Sequence, residues 1–343
     1  MASFFLKNLT RSLKNPLRMN SFGQLAGFQL MQSALVRSLS TKSEDHALNL
    51  LQFKEYAASK VKIVNRALDE AIPLQHPIGI HESMRYTLLG GGKRVCSIAC
   101  MASCELVGGE ESSVIPVACA AEMLHDMAII HDDLPCMDDG ENRRGKNTNH
   151  KVFGEATALL AGDALLSLAF EHIATNTTNV SPRLVLHAIA VLSSAFGSKG
   201  LMAGQFLDIQ SEGKDLNLEE LRFLHAHKTA KLFEASAVCG AIMGGGSEID
   251  IKKVGNYGRL AGLAFQVVDD IFDVTKSAEE LGKDVGKDSV GEKATYPKLM
   301  GLENASKYAS ELVTQATDEL AHFDAVLAAP LYQLALYIVN RPR

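Results

Sequence analysis

Two aspartate-rich strings stand 137 positions apart: Asp132-Asp133-Leu134-Pro135-Cys136-Met137-Asp138 and Asp269-Asp270-Ile271-Phe272-Asp273. Each closes a strongly apolar stretch, Val114 to Ile130 before the first and Leu260 to Val268 before the second. Carboxylates at the ends of apolar helices are costly unless their charge is compensated. Hard divalent cations such as Mg2+ compensate it, because they take oxygen ligands of this kind. In the second string Asp269 and Asp273 are four apart, so a helix presents both on one face. In the first, Pro135 interrupts the helix, and the loop must swing Asp138 back toward Asp132 and Asp133.

Opposed carboxylates bridged by metal suit a diphosphate, which carboxylates alone would repel. Basic side chains should then stand nearby to hold the remaining phosphate oxygens. Lys93 and Arg94 precede the first string and Arg143 and Arg144 follow it. Lys228 and Thr229 lie between the strings, and Lys283, Lys287 and Lys293 follow the second. One such string alone is as readily a salt-bridged helix end. Two, with interleaved basic motifs, are far more specific.

Further strings accompany them: Met84 to Arg94 (MRYTLLGGGKR), Arg143 to Lys146 (RRGK), Asn149 to Glu155 (NHKVFGE), Gly204-Gln205, His227 to Ala230 (HKTA), Phe265 to Asp270 (FQVVDD) and Gly286 to Asp288 (GKD). From about residue 50 to its end the chain thereby resembles the trans-isoprenyl diphosphate synthases, in particular the plant geranylgeranyl diphosphate synthase type. The four residues between Asp133 and Asp138 are themselves a mark of that plant branch.

The resemblance implies head-to-tail prenyl transfer: an allylic diphosphate ionises, the double bond of isopentenyl diphosphate attacks, and a proton is lost. It implies Mg2+, three ions per site, on Asp132, Asp133, Asp138, Asp269 and Asp270, with Asp273 beside them. Arg143, Lys228, Lys283 and Lys293 would hold the allylic diphosphate, and Thr229 and Gln266 would lie near the developing cation. Lys93, His125 and Arg144 would hold isopentenyl diphosphate. His125 precedes Asp132 by seven residues, about two helical turns, and so shares its face. His131 lacks such support and reads as structural. Gly90-Gly91-Gly92 would let backbone approach a phosphate.

One departure stands out. After Gly-Lys-Arg-Val the family has Arg-Pro, whereas this chain has Cys96-Ser97. Losing a charge-assisted donor costs a few kcal/mol, roughly 10- to 1000-fold in catalytic efficiency. Arg94 is the candidate substitute, although it points along a different helical direction. Met127 and Ala128, five and four positions before Asp132, are the candidates for limiting tail length, with Met127 as a moderate plug or simply core. The twenty-carbon product is favoured and a twenty-five-carbon (geranylfarnesyl) product is the alternative. A weakly active or inactive regulatory subunit of a heterodimeric synthase is a second reading, motivated by Cys96 and the Cys100/Cys104 stripe, with the six intact aspartates counting against it. A class I terpene cyclase is a third, disfavoured by the second DDxxD string and the isopentenyl-site residues.

These residues need a scaffold, and the rest of the chain reads as successive helices. Examples are Leu50 to Ala71, Ile80 to Leu89, Lys93 to Leu106, Val114 to Ile130, Ala156 to Ala174, Arg183 to Ala195, Leu218 to His227, Ile249 to Phe272 and Ala305 to His322. Breaks fall at Gly108-Gly109, Asn176 to Pro182, Gly244 to Gly246 and Lys287 to Pro297, and no period-two strand stands out. The composition, 47% hydrophobic with 6% aromatic residues and no Trp, suits helices packed on Leu, Ala, Val, Ile and Met. The expected fold is all-α: an isoprenoid synthase-type helical bundle around a central cavity, with the two strings on opposite walls.

Residues 1–43 carry six basic residues and no acidic one, the profile of an organellar transit peptide. Arginine usage favours a mitochondrion over a plastid. Residues 44–343 then form the synthase domain. Without those six charges the formal net charge falls from −6 to −12, so the chain has no general attraction for nucleic acid. No apolar run is expected to reach membrane-span length. The six cysteines, without a secretory signal, argue against a disulfide framework. Cys96, Cys100 and Cys104 form one helical stripe, read as small buried thiols. The resemblance adds that Cys100 and Cys104 lie where plant members contact a partner subunit, so that a homodimer is expected and a heterodimer through this region is an alternative.

Overall fold

Helices succeed one another along residues 50–275 and 293–341, the residues described by this computed structural model. The segment 1–43, Lys283 and Lys287 lie outside them. Within the unit Phe53–Arg343, α1 covers residues 53–71, followed by α2 (Ile78–Leu88), α3 (Val95–Leu106) and α4 (Glu111–Asp132). A two-residue ladder, β1 (Asn142–Arg143) with β2 (Lys146–Asn147), leads to α5 (Asn149–Phe153) and α6 (Glu155–Asn176). Next come α7 (Pro182–Phe196), α8 (Leu201–Gln210) and α9 (Leu218–His225). A π-helical turn, Ala226–Ala230, joins α9 to α10 (Lys231–Met243) and α11 (Glu248–Thr275). After residue 292 stand α12 (Tyr296–Met300), α13 (Leu302–Leu320) and α14 (Ala325–Asn340). The all-α expectation holds.

Local chemistry starts several of these helices. Asn217 accepts the amides of Glu219 and Glu220 while Glu220 returns to the Asn217 amide, a complete capping box on α9. Asp324 caps α14 by accepting from the amides of Val326 and Leu327. The core then forms around α10, which is buried on nearly every side and packs on α3, α4, α7 and α11. At Gly240 a Cβ would come within 1.9 Å of the Cys100 carbonyl, so α10 and α3 touch backbone to backbone there. This contact buries the Cys96/Cys100/Cys104 stripe, and burial pushes the Cys104 thiol up to about 11. Cys100 and Cys104 are interior residues, and the partner contact expected of them has no exposed side chain to make it with.

One expectation needs amendment. Among the described residues three helical stretches are long and apolar enough, by length and composition, to cross a membrane: Glu111–Asp132, Glu155–Asn176 and Pro182–Gln210. The first is mostly buried inside the bundle, where its apolar residues pack against other helices. The other two are only one-third buried, and expose Leu159, Leu160, Leu186 and Phe206. In addition, α5, α8, α10, α12 and α14 join the helices given as examples from the sequence. Two of these, α10 and α14, are apolar on most faces and show no alternation for a pattern reading to detect.

Candidate active site

The last turn of α4 delivers the first aspartate string. Beyond Asp132 the chain folds back, with the Asp138 amide donating to the Asp132 carbonyl at 2.9 Å and that of Gly140 to Asp133 at 3.1 Å. Asp269, Asp270 and Asp273 line the facing stretch of α11. All six carboxylates border one cavity of about 240 Å³, together with Lys228, Lys293 and Asp208.

Each string meets cationic or amide partners. Arg143 forks onto Asp133 with contacts of 2.7 to 3.0 Å. Asp132 accepts from the Gln205 amide and lies 3.6 Å from Lys228. Lys293 donates to Asp138 at 3.0 Å, and Arg341 is ion-paired with Asp269. Asp270 accepts from Gln266 at 2.9 Å and from the Tyr296 amide at 3.0 Å, while Thr229 donates to Gln266 at 2.7 Å. Thr229 and Gln266 thus form a relay that orients Asp270. Burial works against the charge of Lys228, but Asp132 and Asp208 outweigh it and hold the ammonium above its usual range.

Among the described residues no three of these carboxylates converge on one point. The donor set nonetheless fits a hard divalent ion. It is made of oxygens alone, and Lys228, Lys293 and Arg341 already stand as counter-cations where positive charge is needed.

A second cavity, about 360 Å³, adjoins the first through Arg143, Asp269 and Asp273. Lys93, Cys96, His125 and Arg144 line it. The ladder explains how adjacent arginines serve both cavities. Arg144 and Gly145, each with positive φ, make the tight turn between β1 and β2. Arg143 goes to Asp133, whereas Arg144 donates to Asp126 at 2.8 Å and to the Thr87 carbonyl at 3.3 Å. Gly92 (φ +146°) lies against the Arg144 guanidinium, which a Cβ there would meet at 3.3 Å. His125 is half exposed, its Nδ1 3.4 Å from Asp126, and Lys93 lies 5.8 Å over the Phe265 ring. A third cavity, about 250 Å³, extends below Asp132 and Thr229 along Ala128, Leu201, Leu232 and Phe233.

The pattern of the polyprenyl synthetase family matches residues 79–329. The chain belongs to that family. It is 55% identical over 318 residues to a chloroplastic heterodimeric geranylgeranyl pyrophosphate synthase large subunit of Arabidopsis thaliana, covering 90% of this chain and 86% of the relative. It is 51% identical to the chloroplastic geranylgeranyl pyrophosphate synthase 7 of the same plant, covering 98% and 99%. A solved geranyltransferase from Helicobacter pylori, complexed with magnesium and isoprenyl diphosphate, is 34% identical with a TM-score of 0.73, covering 85% and 96%. This chain is therefore a prenyltransferase. Both plant relatives are chloroplastic, which overturns the mitochondrial preference and points to a plastid. Arginine usage does not separate the two addresses, because both kinds of transit segment are basic and poor in acidic residues.

Three further points concern residues. Arg94 does not replace the arginine absent at position 96. Its guanidinium is buried, donating to Glu122 at 3.1 Å and Asp126 at 3.4 Å and to the Leu88 carbonyl. Met127 packs in the core and is not among the residues lining the third cavity, whereas Ala128 is. Lys283 lies outside the described residues. Sequence reasoning missed Asp208, Arg341 and the buried carboxylates Glu122 and Asp126. The latter pair left a signal, since two acids four apart inside an apolar helix demand a cation.

His225 gives the stability of this chain a pH signature. Burial depresses its imidazole from the ordinary 6.5 to about 4, with Asp208 opposing and Lys228 reinforcing the shift. Between those values the unfolded chain binds a proton that the folded chain refuses. Stability therefore falls as pH drops from about 6.5 to 4, by up to ~3 kcal/mol. Urea midpoints at pH 7 and pH 4.5 should converge in His225→Phe relative to the wild type; an equal acid loss in both proteins would assign the limb to other groups.

Proposed function

We propose that this chain condenses isopentenyl diphosphate with dimethylallyl, geranyl and farnesyl diphosphates, giving mainly geranylgeranyl diphosphate, in a domain that begins near residue 44. The observation that carries this reading is the pair of aspartate strings facing one cavity, with a second basic cavity beside it and an apolar one below. Asp132, Asp133, Asp138, Asp269 and Asp270 would hold Mg2+, three ions per site, with Asp273 beside them. Bound there, Mg2+ acts as a Lewis acid for the leaving diphosphate. Arg143, Lys228 and Lys293 grip the allylic diphosphate, and Lys93, His125 and Arg144 grip isopentenyl diphosphate. The apolar walls of the third cavity take the growing tail and keep water from the cation. The departed diphosphate accepts the proton, so no protein base is required.

Incubating the protein with Mg2+, isopentenyl diphosphate and each allylic primer tests this. A discrete twenty-carbon product supports it. Turnover of an allylic diphosphate without isopentenyl diphosphate would indicate a cyclase instead. Ala128→Phe should close the third cavity near its mouth and shift products toward ten or fifteen carbons, as chromatography of the dephosphorylated alcohols would show. An unchanged length would place the limit elsewhere.

A second reading rests on Cys96: a weakly active subunit of a heterodimer. Absence of product alone, with altered product length when a partner synthase is added, would favour it. A homodimer fits the exposed Leu159, Leu160 and Leu186 of α6 and α7.

A further inference from the structure

Asp208 belongs to neither aspartate string, yet it stands at the centre of the site. Its Oδ2 accepts from Lys228 at 2.6 Å and from Lys293 at 3.2 Å. The same two ammoniums reach the first string, Lys228 at 3.6 Å from Asp132 and Lys293 at 3.0 Å from Asp138. Charges therefore alternate along an arc: Asp132, Lys228, Asp208, Lys293, Asp138.

The local fold is arranged for this. Gly204 lies one turn before Asp208 on α8, and a Cβ there would come within 2.2 Å of the Lys228 amide nitrogen. The α8 backbone thus abuts the π-helical turn carrying Lys228, and such turns often sit at functional sites. Gln205, the next residue, holds Asp132. One helix serves the arc from its centre and from one end.

We propose that Asp208 is a positioning residue that keeps Lys228 and Lys293 trained on the allylic diphosphate once metal has claimed Asp132 and Asp138. This rests on the diphosphate reading of the cavity. Metal binding removes one carboxylate partner from each lysine. Asp208 remains, and without it two like charges on flexible four-carbon stems would have no common anchor. Isopentenyl diphosphate belongs to the neighbouring cavity, which Asp208 does not line.

The prediction is a split between the two substrates. In the full-length protein, Asp208→Asn should raise KM for geranyl diphosphate about 10- to 100-fold, the scale of a lost charge-assisted hydrogen bond. KM for isopentenyl diphosphate should stay within about twofold. Mg2+-dependent binding of inorganic pyrophosphate, read by calorimetry, should weaken in parallel. Both KM values rising together would indicate a merely structural role, and neither rising would show that the lysines hold themselves; either result overturns the inference. Should Asp208→Asn fail to fold, Asp208→Glu carries the test, because it keeps the charge and displaces it by one methylene. Its allylic KM alone should then rise, and a joint rise or no rise counts against the proposal. A wild type that neither transfers prenyl groups nor binds pyrophosphate with Mg2+ would bring down the diphosphate reading itself, and this inference with it.

Discussion

Arg94→Met should destabilise the protein by about 3–5 kcal/mol, the cost of stripping one partner from a buried ion pair. Arg94, Glu122 and Asp126 are all essentially sealed from solvent. Glu122 also accepts from the Ser97 amide and hydroxyl, so it is fixed in place and cannot turn toward water. Removing the guanidinium would leave two carboxylates four residues apart in the apolar middle of α4. Arg144 still reaches Asp126, but Glu122 would keep only Ser97. Urea denaturation measures the loss, and adding Glu122→Gln to Arg94→Met should restore part of it. If Arg94→Met instead kept its stability and raised KM for isopentenyl diphosphate, Arg94 would be a substrate ligand after all.

That contrast shows what the chain discloses before it folds. The aspartate strings are legible because their logic is local: four-residue spacing on a helix, and a proline that turns the chain back. Helices with one polar face, such as α13, announce themselves by their period. The interior helix α10 does not, because it is packed from nearly all sides. Long-range roles are hidden for another reason. Asp208 acquires its function only when α8 meets the turn carrying Lys228, and nothing in the spacing of residues 208, 228 and 293 implies one point in space. Arg341 ends an apolar helix 72 positions from Asp269, and only the packing of α14 against α11 brings the two together. Arg94 misled for a similar reason. Its charge suggested a phosphate ligand, while Glu122 and Asp126 had the prior claim.

Cys96→Arg should lower KM for isopentenyl diphosphate about 10- to 100-fold, while leaving KM for the allylic substrate unchanged. The side chain at position 96 borders both the basic cavity and the apolar one below Asp132. An arginine there has about 360 Å³ of adjoining space to enter, and its guanidinium would join Lys93 and Arg144 around one anion. A charge-assisted hydrogen bond is worth ~1.5–3 kcal/mol, which sets the expected range. The opposing cost is small, because Cys96 supplies only a thiol that burial keeps protonated. Arg341 decides how much room for improvement exists. Its guanidinium stacks 3.9 Å from the centre of the Phe265 ring, which lines the cavity and which Lys93 also faces. While it stays paired with Asp269 the cavity relies on Lys93, His125 and Arg144, and the new arginine should add a bidentate donor to them. An unchanged KM would mean that Arg341 leaves Asp269 when metal arrives and already takes the vacant role. Arg341→Met in the wild-type background separates the cases: KM for isopentenyl diphosphate should stay unchanged if Arg341 is idle, and rise if Arg341 is the substitute.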